Sequence, residues 1–280
     1  MLRSMAELTN IIKGVPADVV VKETLQDDSI STVYLIDYQG IPSVLRLDKP
    51  IIGYLGLDRS AEFHLLNCIQ SYGFSPEPLY SDPRGGILIY RFFEGEALTP
   101  TDLGTRGKIV ELGKILGSIH RLHFPDFKTQ FVNQIRHYEK ELKNDADWSL
   151  LKRGIDLFES LTANEDDWVV CHNDLIAANL VHGKKLLILD WEYASLNHPY
   201  FDLATVLENH ALTESQSELF LDTYSGEHQS IDLVQLDEWR QLTHYVTLFW
   251  LMIIKKYATI SEKEKAKMID LENRLSEVKG

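Results

Sequence analysis

The chain has 280 residues, of which 44% are hydrophobic and 25% charged, proportions that suit a globular protein with one large core or two lobes. Forty-two acidic residues against 28 basic ones give a formal charge of −14, which argues against a nucleic-acid or anionic-membrane partner. The charge favours a cationic substrate, although acidity for solubility alone serves equally. Cys68 and Cys171 form neither a disulfide framework nor a metal-ligand spacing. Met1 to Lys13 lack the apolar core of a signal peptide, and the longest apolar run, Tyr245 to Ile254, is too short for a membrane span. A cytoplasmic protein is expected.

In chain order, β-rich segments fall at Val19–Val21, Thr32–Asp37 and Ser43–Leu47, the last two separated by the turn Gln39-Gly-Ile-Pro42. Asp58 or Ser60 can cap a helix carrying Phe63, Leu66 and Ile69 at helical spacing and ending near Gly73. Strands follow at Leu79–Ser81 and Ile87–Tyr90, around the turn Asp82-Pro-Arg-Gly-Gly86. Between the first two strands, Gln26 to Thr32 contains no glycine. Beyond Tyr90 the pattern becomes helical. Ile109, Leu112, Leu116 and Ile119 form a stripe beside Gly113 and Gly117, and that glycine pair predicts a close helix–helix approach. Phe131, Ile135, Tyr138 and Leu142 mark a second helix, and Ser149–Leu161 a third. Thr213 with Gln216, and Ser261 with Glu264, read as capping boxes. His120 and His123 lack a third ligand nearby and are assigned no metal.

The informative stretch is Val169 to Tyr193. An apolar run, Trp168–Cys171, delivers His172-Asn-Asp174, and Asn179 follows five positions after Asp174. Leu180–Val181 and Leu186–Leu189, joined around Gly183, predict a hairpin that returns the chain at Asp190. Asp174, Asn179 and Asp190 would then share one edge. Phosphoryl transfer from ATP asks for such a set: a carboxylate to orient a hydroxyl and accept its proton, and oxygen ligands for Mg²⁺. His172-Asn-Asp alone could be a plain turn; the full spacing on strand, loop and hairpin is far harder to obtain by accident. On this reading Asp174 is the base, Asn179 and Asp190 hold Mg²⁺, and His172 supports the loop.

His172-Asn-Asp-Leu…Asn179, Leu189-Asp-Trp-Glu-Tyr-Ala194 and Phe201-Asp-Leu-Ala204 resemble the choline/ethanolamine kinase and aminoglycoside phosphotransferase superfamily, most closely bacterial choline kinases and thiamine kinases. The resemblance runs across most of the chain and is specific in this central block. It implies an α+β, two-lobed protein-kinase-like fold: a nucleotide-binding lobe over 1–91, an antiparallel sheet with one helix, and a larger, mainly helical catalytic and acceptor-binding lobe over 92–280. It places Arg46 on phosphate with Glu62 as its ion-pair partner, and Arg91 and Phe93 at the hinge that meets adenine. The hydroxyls of Ser29, Ser31 and Thr32 could stand in for the missing glycine loop as donors; equally, Asp27 and Asp28 would repel phosphate unless they point away. Asp202 would tie down the catalytic loop, or equally serve as a helix cap. For the acceptor pocket the candidates are Trp191, Tyr193 and Tyr200 after the hairpin and Tyr245, Phe249 and Trp250 on a late helix, with Glu208 adding negative charge. Aromatic faces suit a quaternary ammonium, though an aromatic stripe on a helix equally builds a core.

The function expected is therefore an ATP- and Mg²⁺-dependent phosphotransferase acting on a small cationic alcohol. Choline ranks first, thiamine next and an aminoglycoside third, since the last would want more acids and fewer aromatics. A nucleotide-binding pseudokinase scaffold is the reading of another class, favoured only by the glycine-free loop.

Overall fold

The computed structural model describes residues 8, 11–124, 126–127, 129–144, 148–163, 168–226 and 230–277. The stretch Met1 to Lys13 lies mostly outside the described residues. Period-two alternation sets the first layer. In β2 (Ser31–Tyr38), Tyr34, Ile36 and Tyr38 are buried on one face. They form a small core with Leu45, Leu47, Ile87 and Ile89. Those partners lie on β3 (Ile41–Asp48) and β5 (Ile87–Arg91). With β1 (Val19–Asp27) and β4 (Pro78–Asp82) they make an antiparallel sheet in the order β1-β2-β3-β5-β4.

Each connection has a local cause. Tyr38 pairs with Ile41 across a two-residue turn in which Gln39 and Gly40 both take positive φ, 55° and 80°, the backbone that matches strand twist. β1 runs to Asp27, well past the expected Val21. As an edge strand exposed over most of its length, it shows no apolar alternation to mark its end. β3 is central and buried on both faces, so Val44 and Arg46 look away from the small core, toward α1 (Arg59–Ile69). Asp58 caps α1 by accepting the amides of Ser60 and Ala61, both at 3.0 Å, and Leu65, Leu66 and Ile69 are its buried stripe. Phe63 is only half-buried.

After a short β6 (Glu96–Ala97) the chain is mostly helical: α2 (Arg106–Ile119), α3 (Phe131–Leu142), α4 (Trp148–Leu161), α5 (Tyr200–Asn209), α6 (Glu214–Ser225), α7 (Leu233–Tyr257) and α8 (Glu262–Glu277). The 25-residue α7 runs through this region, with α3, α4, α5 and α8 packed on it. The glycine pair of α2 meets α6. A Cβ at Gly113 would lie 3.0 Å from Thr223 Cβ, and one at Gly117 would lie 3.1 Å from the Tyr224 carbonyl. Both expected capping boxes form, at Thr213/Gln216 and Ser261/Glu264. Between α4 and α5 lie four short strands: β7 (Val169–Cys171), the hairpin β8 (Leu180–His182) and β9 (Leu186–Ile188), and β10 (Ser195–Asn197), which pairs with β7. Among the described residues no helix is long and apolar enough to cross a membrane. The architecture is the expected α+β, two-lobed arrangement.

Candidate active site

The loop leaving β7 is clamped before it reaches any polar cluster. Asp202, buried in the first turn of α5, accepts the amides of His172 at 2.8 Å and Asn173 at 2.7 Å. It does not cap its own helix. The His120 ring lies 3.1 Å from the same carboxylate and 2.9 Å from the Tyr224 hydroxyl. Fully buried His172 places Nε2 2.9 Å from the Leu189 carbonyl, which can only accept, while its Nδ1 receives the Asp174 amide at 3.2 Å. That pattern requires the neutral Nε2–H tautomer, and burial lowers the His172 pKa in the same direction. Asn173 has φ 64°, a left-handed conformation that Asn tolerates. Its amide bonds the Tyr193 carbonyl at 2.9 Å and Ser195 Oγ at 2.8 Å, and receives Asn197 at 2.8 Å.

On this frame Asp174, Asn179 and Asp190 come together. The Asn179 NH₂ donates to Asp174 Oδ2 at 2.8 Å and to its carbonyl at 2.9 Å. The Leu189 amide bonds the Asn179 carbonyl at 2.8 Å, bringing Asp190 alongside. Asp190 itself takes φ 60°. Withdrawal from water, then the charge of Glu192, pushes the Asp174 carboxyl up to about 7, with Asn179 and Lys267 opposing. The same two causes raise Asp190, opposed by Arg46.

Beneath them lies a buried ionic network. Arg46 holds Glu62 through both terminal nitrogens, at 2.8 and 2.5 Å, and reaches Asp190 at 3.1 Å. Arg59 bonds Asp48 twice, at 2.7 and 2.8 Å, Glu62 at 3.1 Å and Glu192 at 2.7 Å. Two guanidinium groups thus face Asp48, Glu62, Asp190 and Glu192. Asp48 and Arg59 escaped the sequence reading, and Glu192, though part of the Asp-Trp-Glu-Tyr motif, was given no role. For Arg59 a signal existed: a basic residue in the first turn opposes the helix dipole and so wants a tertiary reason. For Asp48 no local signal existed.

Two adjoining cavities open here, of about 290 and 330 Å³. The sheet-side cavity is walled by Arg46, Glu62, Ser31, Tyr90, Phe92 and Phe93. The helix-side cavity contains Asp174 with Tyr138, Tyr193, Thr247, Trp250 and Lys267. Asn179, Asp190, Glu192, Gln26, Asp28 and Ile30 wall both. Trp250 Nε1 donates to the Tyr193 hydroxyl at 2.8 Å, fixing that aromatic wall.

Several expected positions fall elsewhere. The Ser29 hydroxyl donates to the Thr259 carbonyl at 2.9 Å and lines neither cavity. Arg91 lines neither cavity: its N–H donates to the Glu77 carbonyl and its exposed side chain to the Glu77 carboxylate, and Phe92 accompanies Phe93 on the sheet-side wall. Trp191 is a core residue, 1% exposed, against Phe74 and His172, and it is absent from the helix-side cavity. Tyr245 and Phe249 face α4, where a Cβ on Gly154 would meet Phe249 Cζ at 2.6 Å. The late helix is right, but its cavity face is Thr243, Val246, Thr247 and Trp250. Glu208 is spent on Arg240 at 2.6 Å and His244 at 2.7 Å, which hold its pKa down at about 2, and it lines neither cavity.

The glycine-free loop is arranged around its acids. Asp28 accepts the amides of Ile30 and Ser31, each at 2.8 Å. Asp27 pairs with Lys49 at 2.7 Å and the Thr32 hydroxyl at 2.8 Å, and Lys49 also reaches the Asp28 carbonyl. The donor set between the cavities suits a hard divalent cation. With its NH₂ spent on Asp174, Asn179 has its side-chain Oδ1 left to offer, and four carboxylates facing two guanidinium groups leave a surplus of negative charge.

A kinase-type loop, hairpin and ion pair on this two-lobed fold define a phosphotransferase. The model of the family described as choline/ethanolamine kinase matches residues 39–232, and the chain belongs to that family. Protein LicA of Haemophilus influenzae is 28% identical over 207 residues, 69% of this chain and 59% of that protein's length. Among solved structures, choline kinase LicA from Streptococcus pneumoniae superimposes with a TM-score of 0.78 at 18% identity, covering 98% of this chain and 99% of that one. A structure of LicA in complex with AMP gives a TM-score of 0.79 at 18% identity, with the same coverage.

Proposed function

We propose that the chain transfers the γ-phosphoryl group of ATP, with Mg²⁺, to the hydroxyl of a small cationic alcohol, choline in the first place. The observation that carries the acceptor class is the helix-side cavity. Asp174 stands there beside the aromatic surfaces of Trp250, Tyr193 and Tyr138, with Asp190 and Glu192 on the same wall. Aromatic faces and carboxylates attract a quaternary ammonium, which offers no proton to a hydrogen bond. Its volume lies at the small end of ligand pockets.

In this reading residues 1–91 form the nucleotide-binding lobe and residues 92–280 the catalytic and acceptor-binding lobe. Adenine meets the wall around Phe92 and Phe93, and Arg46, oriented by Glu62, faces phosphate. Asp174 orients the acceptor hydroxyl and takes its proton as the oxygen attacks, a role its raised pKa suits. Asn179 and Asp190 would hold the magnesium ion, which neutralises phosphate charge. Asp202 and His172 keep the loop in place.

The test is ADP release with Mg·ATP against choline, ethanolamine, thiamine and an aminoglycoside. Asp174→Ala should lower turnover roughly 10²–10⁴-fold while nucleotide affinity stays near that of the parent. Loss of nucleotide binding in step with turnover would remove Asp174 from the base role. Mg·ATP binding without turnover of any alcohol would favour the pseudokinase reading.

A further inference from the structure

Phosphate needs cations. Arg46, read above as facing the nucleotide phosphate, already carries Glu62 and Asp190, while Arg59 is spent on Asp48 and Glu192, Lys49 on Asp27, and the Ile30 and Ser31 amides on Asp28. Among the described residues the helix-side cavity has one basic lining residue, Lys267, supplied by α8. No salt bridge holds Lys267 among those residues. Withdrawal from water lowers the Lys267 pKa, and the charge of Asp174 opposes that shift. An ammonium here works against a cationic alcohol by repulsion. It makes sense if an anion arrives beside Asp174, and one does when the phosphoryl group reaches the acceptor oxygen.

We propose that Lys267 is a product-side phosphate ligand, binding the phosphate of the newly formed monoester in the helix-side cavity. This rests on the phosphotransferase reading of the same site. In the transfer the acceptor O–H bond breaks and its proton passes to Asp174. The O–P bond forms, and the bond from the γ-phosphorus to the β-phosphate oxygen breaks with its electron pair leaving on ADP. Lys267 keeps its proton throughout and supplies charge alone. Its own contribution separates alcohol from product by sign: it opposes the cationic group that the aromatic faces and carboxylates hold, and it attracts the phosphate of the monoester.

Lys267 is exposed on the surface of a helix, so its replacement leaves the core intact. The experiment is calorimetric binding of phosphocholine, phosphoethanolamine, choline and ethanolamine to the full chain with Mg·ADP, comparing the parent with Lys267→Met and Lys267→Arg. The expected result is a roughly ten-fold loss of monoester affinity in Lys267→Met, with the alcohol bound equally or more tightly and Lys267→Arg restoring the monoester. Unchanged monoester binding in Lys267→Met overturns the proposal, as does parallel loss of alcohol and monoester, or failure of the parent to bind either monoester. The underlying reading fails separately, if no alcohol gives Asp174-dependent ADP release.

Discussion

Asp174 shows how one residue can set activity against stability. Its carboxyl titrates at about 7 in the folded chain, against an ordinary value of 3.8. Because the folded value is raised, the neutral acid is the form folding favours. The stability this confers is complete below about 3.8 and is lost as pH rises through about 7. A base must be ionised to act, so kcat/KM should climb with pH and level off above about 7. Asp174→Asn, which cannot ionise, should melt increasingly above the parent as pH is raised from 4 to 7, with a constant margin beyond, both read without ligand. A margin independent of pH would mean that Asp174 is no more strained by ionisation in the fold than in the unfolded chain.

Helices show where sequence reading stops. On α7 the aromatic stripe was visible, but not its direction: Tyr245 and Phe249 fill the space that Gly154 leaves on α4, and Trp250 alone of the three turns to the cavity. Periodicity reports that a face is apolar, not which neighbour covers it. Where contacts are local, the legible content is high. The five-residue spacing from Asp174 to Asn179, the hairpin to Asp190, the Arg46–Glu62 pair and both capping boxes are each readable within a segment or by a kinase-like resemblance. Arg59 with Glu192, 133 positions apart, is not, because nothing in either segment encodes the other. The Gly154 contact yields an element-scale prediction. Ala would improve α4 by about 1 kcal/mol in propensity, but its Cβ would sit 2.6 Å from Phe249 Cζ and 2.8 Å from Tyr245 Cδ1. Overpacking against two rigid rings costs about 1–3 kcal/mol. Gly154→Ala should therefore lower the urea midpoint with little change in turnover, and a raised midpoint would mean that α4 and α7 can separate freely.

Across the molecule the sheet and the helices are joined at several levels. Ion pairs run from Arg46 to Asp190 and from Arg59 to Glu192, and Tyr54 stacks on Tyr257 at 3.8 Å. A further tie is the Ser29 hydroxyl on the Thr259 carbonyl, just before α8. It anchors the loop whose Gln26, Asp28 and Ile30 wall both cavities. One segment thus borders both cavities, so a motion of it would open both at once. Ser29→Ala removes a hydrogen bond worth about 1 kcal/mol, which should quicken escape of nucleotide and alcohol together, by roughly five-fold each. Pulse-chase trapping of each ligand would measure this; acceleration of one alone would mean that the two cavities open separately.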